Sequence, residues 1–256
     1  MIMLALGAAM GSFLACQAWR LRYKDTGKAK LGSRSVCLSC KKQLKWYDNI
    51  PILSWLILGG CCRYCKKKIG VMEILAEVLM ALAFFGITMM LFPASAYMID
   101  YVIFGVTLLL VMVMGFLAIY DGKWGELPSF ALAIALVLAA AIFGLKIWTA
   151  GFSVPMLLNT LGAVGVLGGT YLVLYLVSHG EWVGNGDWIL GVIIGLVLGE
   201  AFLALVVLCL SNCLGLVVMY PTVKKSKNKK IYFGPFLVIV FVVVLMFAKF
   251  INGLIF

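Results

Sequence analysis

Residues 98–121 read MIDYVIFGVTLLLVMVMGFLAIYD, an apolar run that ends on an aspartate. As an α-helix with a rise of roughly 1.5 Å per residue, the apolar part at 98–119 would measure about 33 Å. The hydrocarbon core of a bilayer is about 30 Å thick. The segment therefore predicts a helix that crosses a membrane and carries Asp121 at its end.

The same apolar character extends along the whole chain. Of the 256 residues, 64% are hydrophobic and 12% are charged. Soluble domains have roughly 45–50% apolar residues, and about a quarter of their residues are charged. Water would not tolerate so much exposed apolar side chain, whereas a bilayer does. The composition therefore excludes an ordinary soluble domain.

Further apolar runs accompany this one, at 1–19, 71–93, 129–147, 154–178, 188–199, 201–220 and 232–256. We therefore predict an all-α polytopic membrane protein of about eight transmembrane helices. The run at 188–199 is short and glycine-rich, so residues 188–220 form either one broken helix or two spans.

A long polar segment, residues 20–70, divides the chain near its N-terminus. We predict three parts on this basis. They are a first transmembrane span at 1–19, a small cytoplasmic module at 20–70 and a transmembrane bundle at 71–256.

The basic residues are concentrated in two of the loops between the apolar runs. The formal net charge is +11, and 13 of the 21 Lys and Arg residues lie at 20–68, with five more at 224–230. Together with Lys123, 19 of the 21 fall on one side of the membrane if 20–70 is cytoplasmic, as the positive-inside rule requires. Topology thus accounts for the charge, and we expect contact with the lipid bilayer but no nucleic-acid partner.

Four cysteines form two C-x-x-C pairs with 21 residues between them, Cys37 and Cys40, then Cys62 and Cys65. Such pairs are typical of a tetrahedral thiolate site for zinc, which would be structural because no coordination position stays open. The ion would compensate for the small core of a module of about 50 residues. Disulfides and a redox motif are the alternatives, and a reducing cytoplasm disfavours stable disulfides. The neighbouring Cys61 is an alternative ligand.

Two aspartates stand at ends of predicted spans. Asp121 follows the run at 98–119, and Asp187 closes the tetrapeptide Gly184-Asn185-Gly186-Asp187. Ionisable groups at membrane depth are costly and usually functional. Two carboxylates close together can share a proton, so that one acts as general base on a water and the other as general acid toward a carbonyl. This chemistry hydrolyses a peptide without a nucleophilic side chain.

The glycines beside the second aspartate fit the same chemistry. Gly184 and Gly186 have no side chain, so they would let the backbone approach a substrate strand closely. Structural roles stay open for each acid taken singly. Asp187 is also compatible with a helix N-cap, and Asp121 with a solvated helix end.

Five segments then carry a resemblance to a known family: Gly11-Ser12-Phe13 with Arg20; Trp46-Tyr47-Asp48-Asn49-Ile50-Pro51 followed by Cys62-Arg63-Tyr64-Cys65; Asp121 with Leu127-Pro128; Gly184-Asn185-Gly186-Asp187; and Phe233-Gly234-Pro235-Phe236-Leu237. In this order and spacing they resemble the type IV prepilin peptidases, also called leader peptidase/N-methyltransferases. The resemblance covers nearly the whole chain.

The resemblance implies an intramembrane aspartic endopeptidase of the GxGD type in the cytoplasmic membrane of a bacterium. It would cut the basic leader of prepilin or pseudopilin precursors on the cytoplasmic side. It would then N-methylate the new N-terminus from S-adenosylmethionine. By position, Asp121 and Asp187 would be the catalytic pair and the four paired cysteines the metal ligands. Glu77 would lie in the methylation or substrate region, as a cofactor-binding residue.

The main alternative is an ion-coupled membrane transporter, because short glycine-interrupted spans and intramembrane carboxylates also fit transport. A transporter leaves the C-x-x-C pairs and Asp48-Asn49-Ile50-Pro51 unexplained. A second alternative is a membrane-anchored zinc module that binds nucleic acid, although the aromatic residues of 20–70 form no evident stacking platform.

Overall fold

A computed structural model describes residues 1–25, 35–93, 97–225 and 232–255. Its helices, in chain order, are α1 Ile2–Asp25, α2 Leu53–Ile57, α3 Val71–Leu91, α4 Met98–Trp124, α5 Ser129–Ala150, α6 Val154–Val164, α7 Thr170–Val177, α8 Asp187–Leu198, α9 Ala201–Lys225 and α10 Gly234–Ile255. A 3-10 turn, Trp46–Asn49, precedes α2, and a π-helical segment, Gly165–Gly169, joins α6 to α7. Within these ranges the β-structure is limited to two isolated bridges.

The apolar helices match the predicted spans. In the described part of the chain, six are long and apolar enough to cross a membrane, with α6, the π-helical segment and α7 forming one of them. The segments Asp187–Leu198 and Gly234–Ala248 are shorter apolar helices. The predicted all-α, multi-pass membrane fold is confirmed.

The structure decides how the short, glycine-rich run at 188–199 relates to the run after it. Helix α8 ends at Leu198, and Gly199 has a φ of +72°, the left-handed conformation in which helices commonly end. Helix α9 begins two residues later, at Ala201. Residues 188–220 are therefore two separate helices.

The chain divides into two compact units, Met1–Thr88 and Met89–Phe256. In the first unit, α1 packs on α3 almost backbone to backbone. A Cβ on Gly7 would lie 2.5 Å from the carbonyl oxygen of Met80, and one on Gly11 would lie 2.6 Å from that of Ala76. Small residues let membrane helices approach in this way, so Gly11 of the first motif serves helix packing here.

The second unit is a bundle in which α8 packs against α5, α6 and the π-helical segment. One face of α8 is formed by glycines and therefore has almost no side chains. A Cβ on Gly191 would lie 2.9 Å from the Cα of Gly168, and one on Gly195 would lie 2.8 Å from the Cα of Val164. Helices α4 and α10 also pack together, and α5 packs against both α4 and α8. The helices that begin or end at the two aspartates thus belong to one core.

We expect the substitution Gly191→Ala to destabilise this core, because the added methyl group has no space between α8 and Gly168. Overpacking of this kind costs about 1–3 kcal/mol of unfolding free energy. Thermal unfolding of the detergent-solubilised protein measures the effect. Gly144→Ala is the matched control, since a Cβ on Gly144 meets no atom within 4 Å. Equal melting temperatures for the two variants would contradict the packing described here.

Candidate functional site

Asp121 lies in the last turn of α4 and is 5% exposed. The backbone N–H of Gly234, the first residue of α10, donates a hydrogen bond to its Oδ2 at 3.1 Å. A Cβ on Gly234 would lie 2.5 Å from that oxygen, so no larger residue fits without displacing the carboxylate. The last-span motif therefore supplies a backbone donor to the first aspartate.

Asp187 is the first residue of α8 and is 7% exposed. Its Oδ2 accepts a hydrogen bond from the backbone N–H of Gly184 at 2.9 Å, and its own N–H donates to the Gly184 carbonyl at 3.2 Å. The loop before α8 thus folds back onto the side chain. A carboxylate at a helix N-terminus is also favoured by the helix dipole.

The motifs of the second unit converge on the two acids. Gly186 packs against Leu127, whose Cδ1 would lie 2.5 Å from a Cβ on that glycine. Gly125, which ends α4 in the left-handed conformation with a φ of +68°, packs against the Tyr232 ring. The Asp187 carboxylate lies within electrostatic range of Asp121. The structure therefore brings together the two aspartates that the sequence singled out.

Two features of this site were not predicted. Gly234 was recognised only as part of a motif, and its role as a hydrogen-bond donor to Asp121 depends on a contact 113 residues apart in the chain. Tyr171 is 2% exposed, its hydroxyl accepts a hydrogen bond from Asn212 Nδ2 at 3.4 Å, and it lies within electrostatic range of Asp187. A buried tyrosine in an apolar span gave no signal that distinguishes it from a packing residue.

The first unit contains a cluster of four sulfur atoms, those of Cys37, Cys40, Cys62 and Cys65, all within 4.8 Å of one another. Four thiolates around a zinc ion at about 2.3 Å would have sulfurs about 3.8 Å apart in a regular tetrahedron. The Cys37 and Cys65 sulfurs are 3.8 Å apart. The donor set and its spacing fit zinc, and the cluster includes Cys62, not Cys61.

The two C-x-x-C pairs adopt the same backbone geometry. In the first, Cys37 N–H donates to the Lys42 carbonyl and Lys41 N–H donates to the Cys37 carbonyl, both at 2.9 Å. The second repeats these bonds 25 residues later, and the residues after the second cysteine of each pair, Lys41 and Lys66, have φ values of +59° and +56°. Two equal turns thus face their sulfurs toward a common point.

Local hydrogen bonds prepare this cluster for a cation. Burial raises the pKa of Cys37, but donors outweigh it, first the backbone N–H groups of Cys40 and Ser39, and lower that pKa to about 6. For Cys65, a backbone hydrogen bond from Lys67 lowers the pKa, but burial and the neighbouring sulfurs raise it to about 11. The sulfurs thus compete for negative charge, and a divalent cation stabilises all four as thiolates.

The second cysteine turn is held by the segment that contains Asp48-Asn49-Ile50-Pro51. Buried Asp48 accepts a hydrogen bond from Arg63 Nε at 2.7 Å in a salt bridge and one from the Lys45 backbone N–H at 3.2 Å. The Arg63 guanidinium also lies 5.1 Å from the centre of the Tyr47 ring. This segment therefore orients Cys62 and Cys65 from outside the cluster.

Glu77, on α3, has a defined backbone partner. Its Oε2 accepts a hydrogen bond from the Ile52 N–H at 2.7 Å. Ile52 has a φ of +63°, which is strained for a β-branched residue. One role of Glu77 is therefore to hold the turn that leads into α2.

Glu77 also lines a cavity of about 780 Å³ within the first unit. Among its other lining residues are Trp19, Arg20, Asn49, Trp55 and Glu73. The buried Trp55 Nε1 has no hydrogen-bond acceptor among the described residues. A cavity of 300–1,000 Å³ with a few polar groups is, in rough terms, the usual form of a small-molecule site.

Comparison with known proteins identifies the family. Residues 5–91 match the family model described as the Bacterial Peptidase A24 N-terminal domain. The prepilin leader peptidase/N-methyltransferase of Bacillus subtilis is 32% identical over 213 residues, which cover 79% of this chain and 75% of the relative. That of Pectobacterium carotovorum is 30% identical over 261 residues, 91% of this chain and 88% of the relative. The chain belongs to the prepilin leader peptidase family. No solved structure shows significant similarity to it.

As a prepilin leader peptidase family member, the chain has its metal-binding cluster and its cavity in the part that the family model covers. The matched residues, 5–91, correspond closely to the first compact unit, Met1–Thr88. The type 4 prepilin-like proteins leader peptide-processing enzyme of Escherichia coli is also similar, with 28% identity over 90% of this chain and 87% of the relative. The similarity therefore extends beyond the first unit to the unit that contains both aspartates.

We expect Cys62→Ser to remove bound zinc from this family member, because an alcohol is a poor zinc ligand and the remaining sulfurs close only three corners of the tetrahedron. Elemental analysis of the purified protein should give about one zinc per wild-type chain and much less for the variant. Cys61→Ser is the matched control, since Cys61 is the neighbouring residue outside the cluster. Equal zinc loss in both variants would contradict the assignment of the ligands.

Proposed function

We propose that this chain is an intramembrane aspartic endopeptidase that cleaves the basic leader of type IV prepilin-like precursors and then N-methylates the new N-terminus. The observation that carries the first activity is the buried pair formed by Asp121 and Asp187 at the junction of α4, α8 and α10. The names of the relatives, prepilin leader peptidase/N-methyltransferase, support both activities.

In the proposed reaction, the two carboxylates hold one proton between them. The ionised carboxylate takes a proton from a water, and that water attacks the scissile carbonyl. The protonated one donates to the carbonyl oxygen as the tetrahedral intermediate forms. When the intermediate collapses, the carboxyl group that took the proton from water donates it to the leaving amine as the C–N bond breaks, and the other carboxylate recovers its proton from a hydroxyl of the intermediate. The backbone donors Gly234 and Gly184 fix the two side chains, so the acids are oriented before substrate binds.

The same proposal places substrate beside the loop before α8. Gly184 and Gly186 would let an extended substrate strand pass close to the backbone. The Leu127 side chain already occupies the space beside Gly186, so the strand would pass on the side of Gly184. We place cleavage on the cytoplasmic face of the bacterial membrane, because the positive-inside rule puts the basic loops and the ends of α4 and α8 that carry the acids on that side.

The transporter alternative accounts for less. It explains buried carboxylates in short helices, but not a four-cysteine cluster braced by Asp48 and Arg63. Membership of the prepilin leader peptidase family also favours the enzyme.

Asp121→Asn and Asp187→Asn should each lower cleavage about a thousandfold, because an amide cannot serve as general acid or base. The assay is cleavage of a detergent-solubilised prepilin, followed by mass spectrometry. Asp100→Asn is the matched control, since Asp100 lies on the same helix as Asp121 but in its first turn. Undiminished cleavage by a folded variant of either aspartate would refute the aspartic mechanism, whereas no cleavage by the wild-type protein would favour the transporter.

For the second activity, the residues around the cavity of the first unit fit S-adenosylmethionine. When bound, this cofactor supplies an electrophilic methyl group on a sulfonium cation. The carboxylates of Glu73 and Glu77 and the indole faces of Trp19 and Trp55 would attract that cation. The buried Trp55 Nε1–H could donate to an acceptor of the adenosine or the amino-acid part.

Glu77→Gln separates the structural from the electrostatic role of this residue. The amide oxygen can still accept the Ile52 N–H, so cleavage and zinc content should stay at wild-type levels. Loss of the negative charge should weaken S-adenosylmethionine binding, measured by isothermal titration, about tenfold or more. A loss of only about 1.4 kcal/mol of binding free energy raises the Kd tenfold. Methylation of the cleaved product, a gain of one CH₂ by mass, should fall in parallel. Wild-type binding of S-adenosylmethionine by the variant would show that Glu77 is not part of the cofactor site.

A further inference from the structure

Lys146 is a basic residue that the distribution of charge does not explain. It lies in α5, within a candidate membrane span, and outside the two basic loops. Its Nζ donates a hydrogen bond to the backbone carbonyl of Val197 at 2.7 Å. Val197 belongs to the last turn of α8. A lysine from one span is therefore bound to the end of another.

Helix α8 has a physical need for such a donor. Its 12 residues measure roughly 18 Å, which is well short of a hydrocarbon layer of about 30 Å. The last carbonyls of a helix have no partner within it, and Val197 is only 1% exposed, so its carbonyl is shielded from water. A cation near these carbonyls also interacts favourably with the helix dipole. Lys146 thus meets both requirements, and Glu200, just after α8, lies within electrostatic range of it.

The contact fixes α8 against α5 along a defined stripe. Ala135, Ala139 and Ile142 are buried on α5, and Lys146 follows them at helical spacing on the same face. Gly191 and Gly195 let α8 approach the π-helical segment and the end of α6 closely, and Leu190, Ile193 and Ile194 of α8 are buried as well. Side-chain packing and the Lys146 bond therefore act together to hold α8 in its axial position.

The opposite end of α8 is Asp187. Because an α-helix is rigid over 12 residues, a bond at the Val197 carbonyl also sets the axial position of residue 187. We propose that Lys146 is a positioning residue that caps α8 and thereby holds Asp187 at its working distance from Asp121. This inference rests on the proposed aspartic mechanism, and it assigns Lys146 no contact with substrate.

The test compares Lys146→Met, Lys146→Gln and Lys146→Arg in the prepilin cleavage assay, with kcat and KM determined separately. Met is unbranched like Lys but one atom shorter and has no donor, and Gln has a donor but is also one atom too short to reach the Val197 carbonyl. Both should lower kcat about 10- to 100-fold with little change in KM, because small misplacements of a catalytic group have effects of this size. Arg retains a donor and the charge and should keep kcat within about threefold of wild type.

Thr149→Val is the matched control on the same helix. Thr149 is exposed, and its Oγ1 donates to the Lys146 carbonyl within α5. This variant should keep wild-type kinetics. The pH dependence of kcat adds a readout that lost stability alone would not move. It should change shape in the Met and Gln variants, because the interaction between the two aspartates depends on their separation.

The outcomes separate this inference from the proposed function. Wild-type kcat in folded Lys146→Met or Lys146→Gln, with Asp187→Asn inactive, would overturn the positioning role alone. Equal losses in the Arg, Gln and Met variants, with lowered melting temperatures and an unchanged pH profile, would also overturn it in favour of a purely structural role. If Asp187→Asn cleaves normally, the aspartic mechanism itself fails, whatever the Lys146 variants do.

Discussion

The burial of two carboxylates among apolar helices is the constraint on which the second unit depends. An ionised side chain removed from water costs several kcal/mol unless other groups satisfy it. Asp121 and Asp187 are both nearly inaccessible, and each is met by the backbone N–H of a glycine, Gly234 and Gly184 respectively. Backbone donors add no charge of their own, so these contacts orient the two carboxylates without adding an acid or a base to the pair.

The helix ends follow from the same constraint. Helix α4 ends at Trp124 and α8 begins at Asp187, so both acids stand where a helix leaves backbone groups without intrahelical partners. At the other end of α8, the left-handed Gly199 and Lys146 satisfy the corresponding carbonyls. A short helix whose terminal backbone groups have hydrogen-bond partners at both ends can hold a side chain at a fixed depth.

The first unit solves a different problem, the stability of a small polar insert. The repeated cysteine turns bring four sulfurs together, but they form only isolated bridges and little core of their own. Asp48 and Arg63 tie the second turn to the 3-10 segment, and Glu77 holds the strained Ile52. These side chains were recognised in the sequence as parts of motifs. Their contacts give the motifs a structural meaning alongside the cofactor role that we propose for Glu77.

The sequence by itself determined the membrane class, the order of the apolar helices, the four-cysteine cluster and the two aspartates. These features depend on composition and on residues close in the chain, since a span needs only a continuous apolar run and a cysteine turn only C-x-x-C. Tertiary structure alone decided that 188–220 forms two helices, and that Gly234 contacts Asp121, Tyr171 contacts Asn212 and Lys146 contacts Val197. Each of these last three contacts joins residues 41 or more positions apart. Helix packing brings these residues together, so local sequence patterns could not predict the contacts.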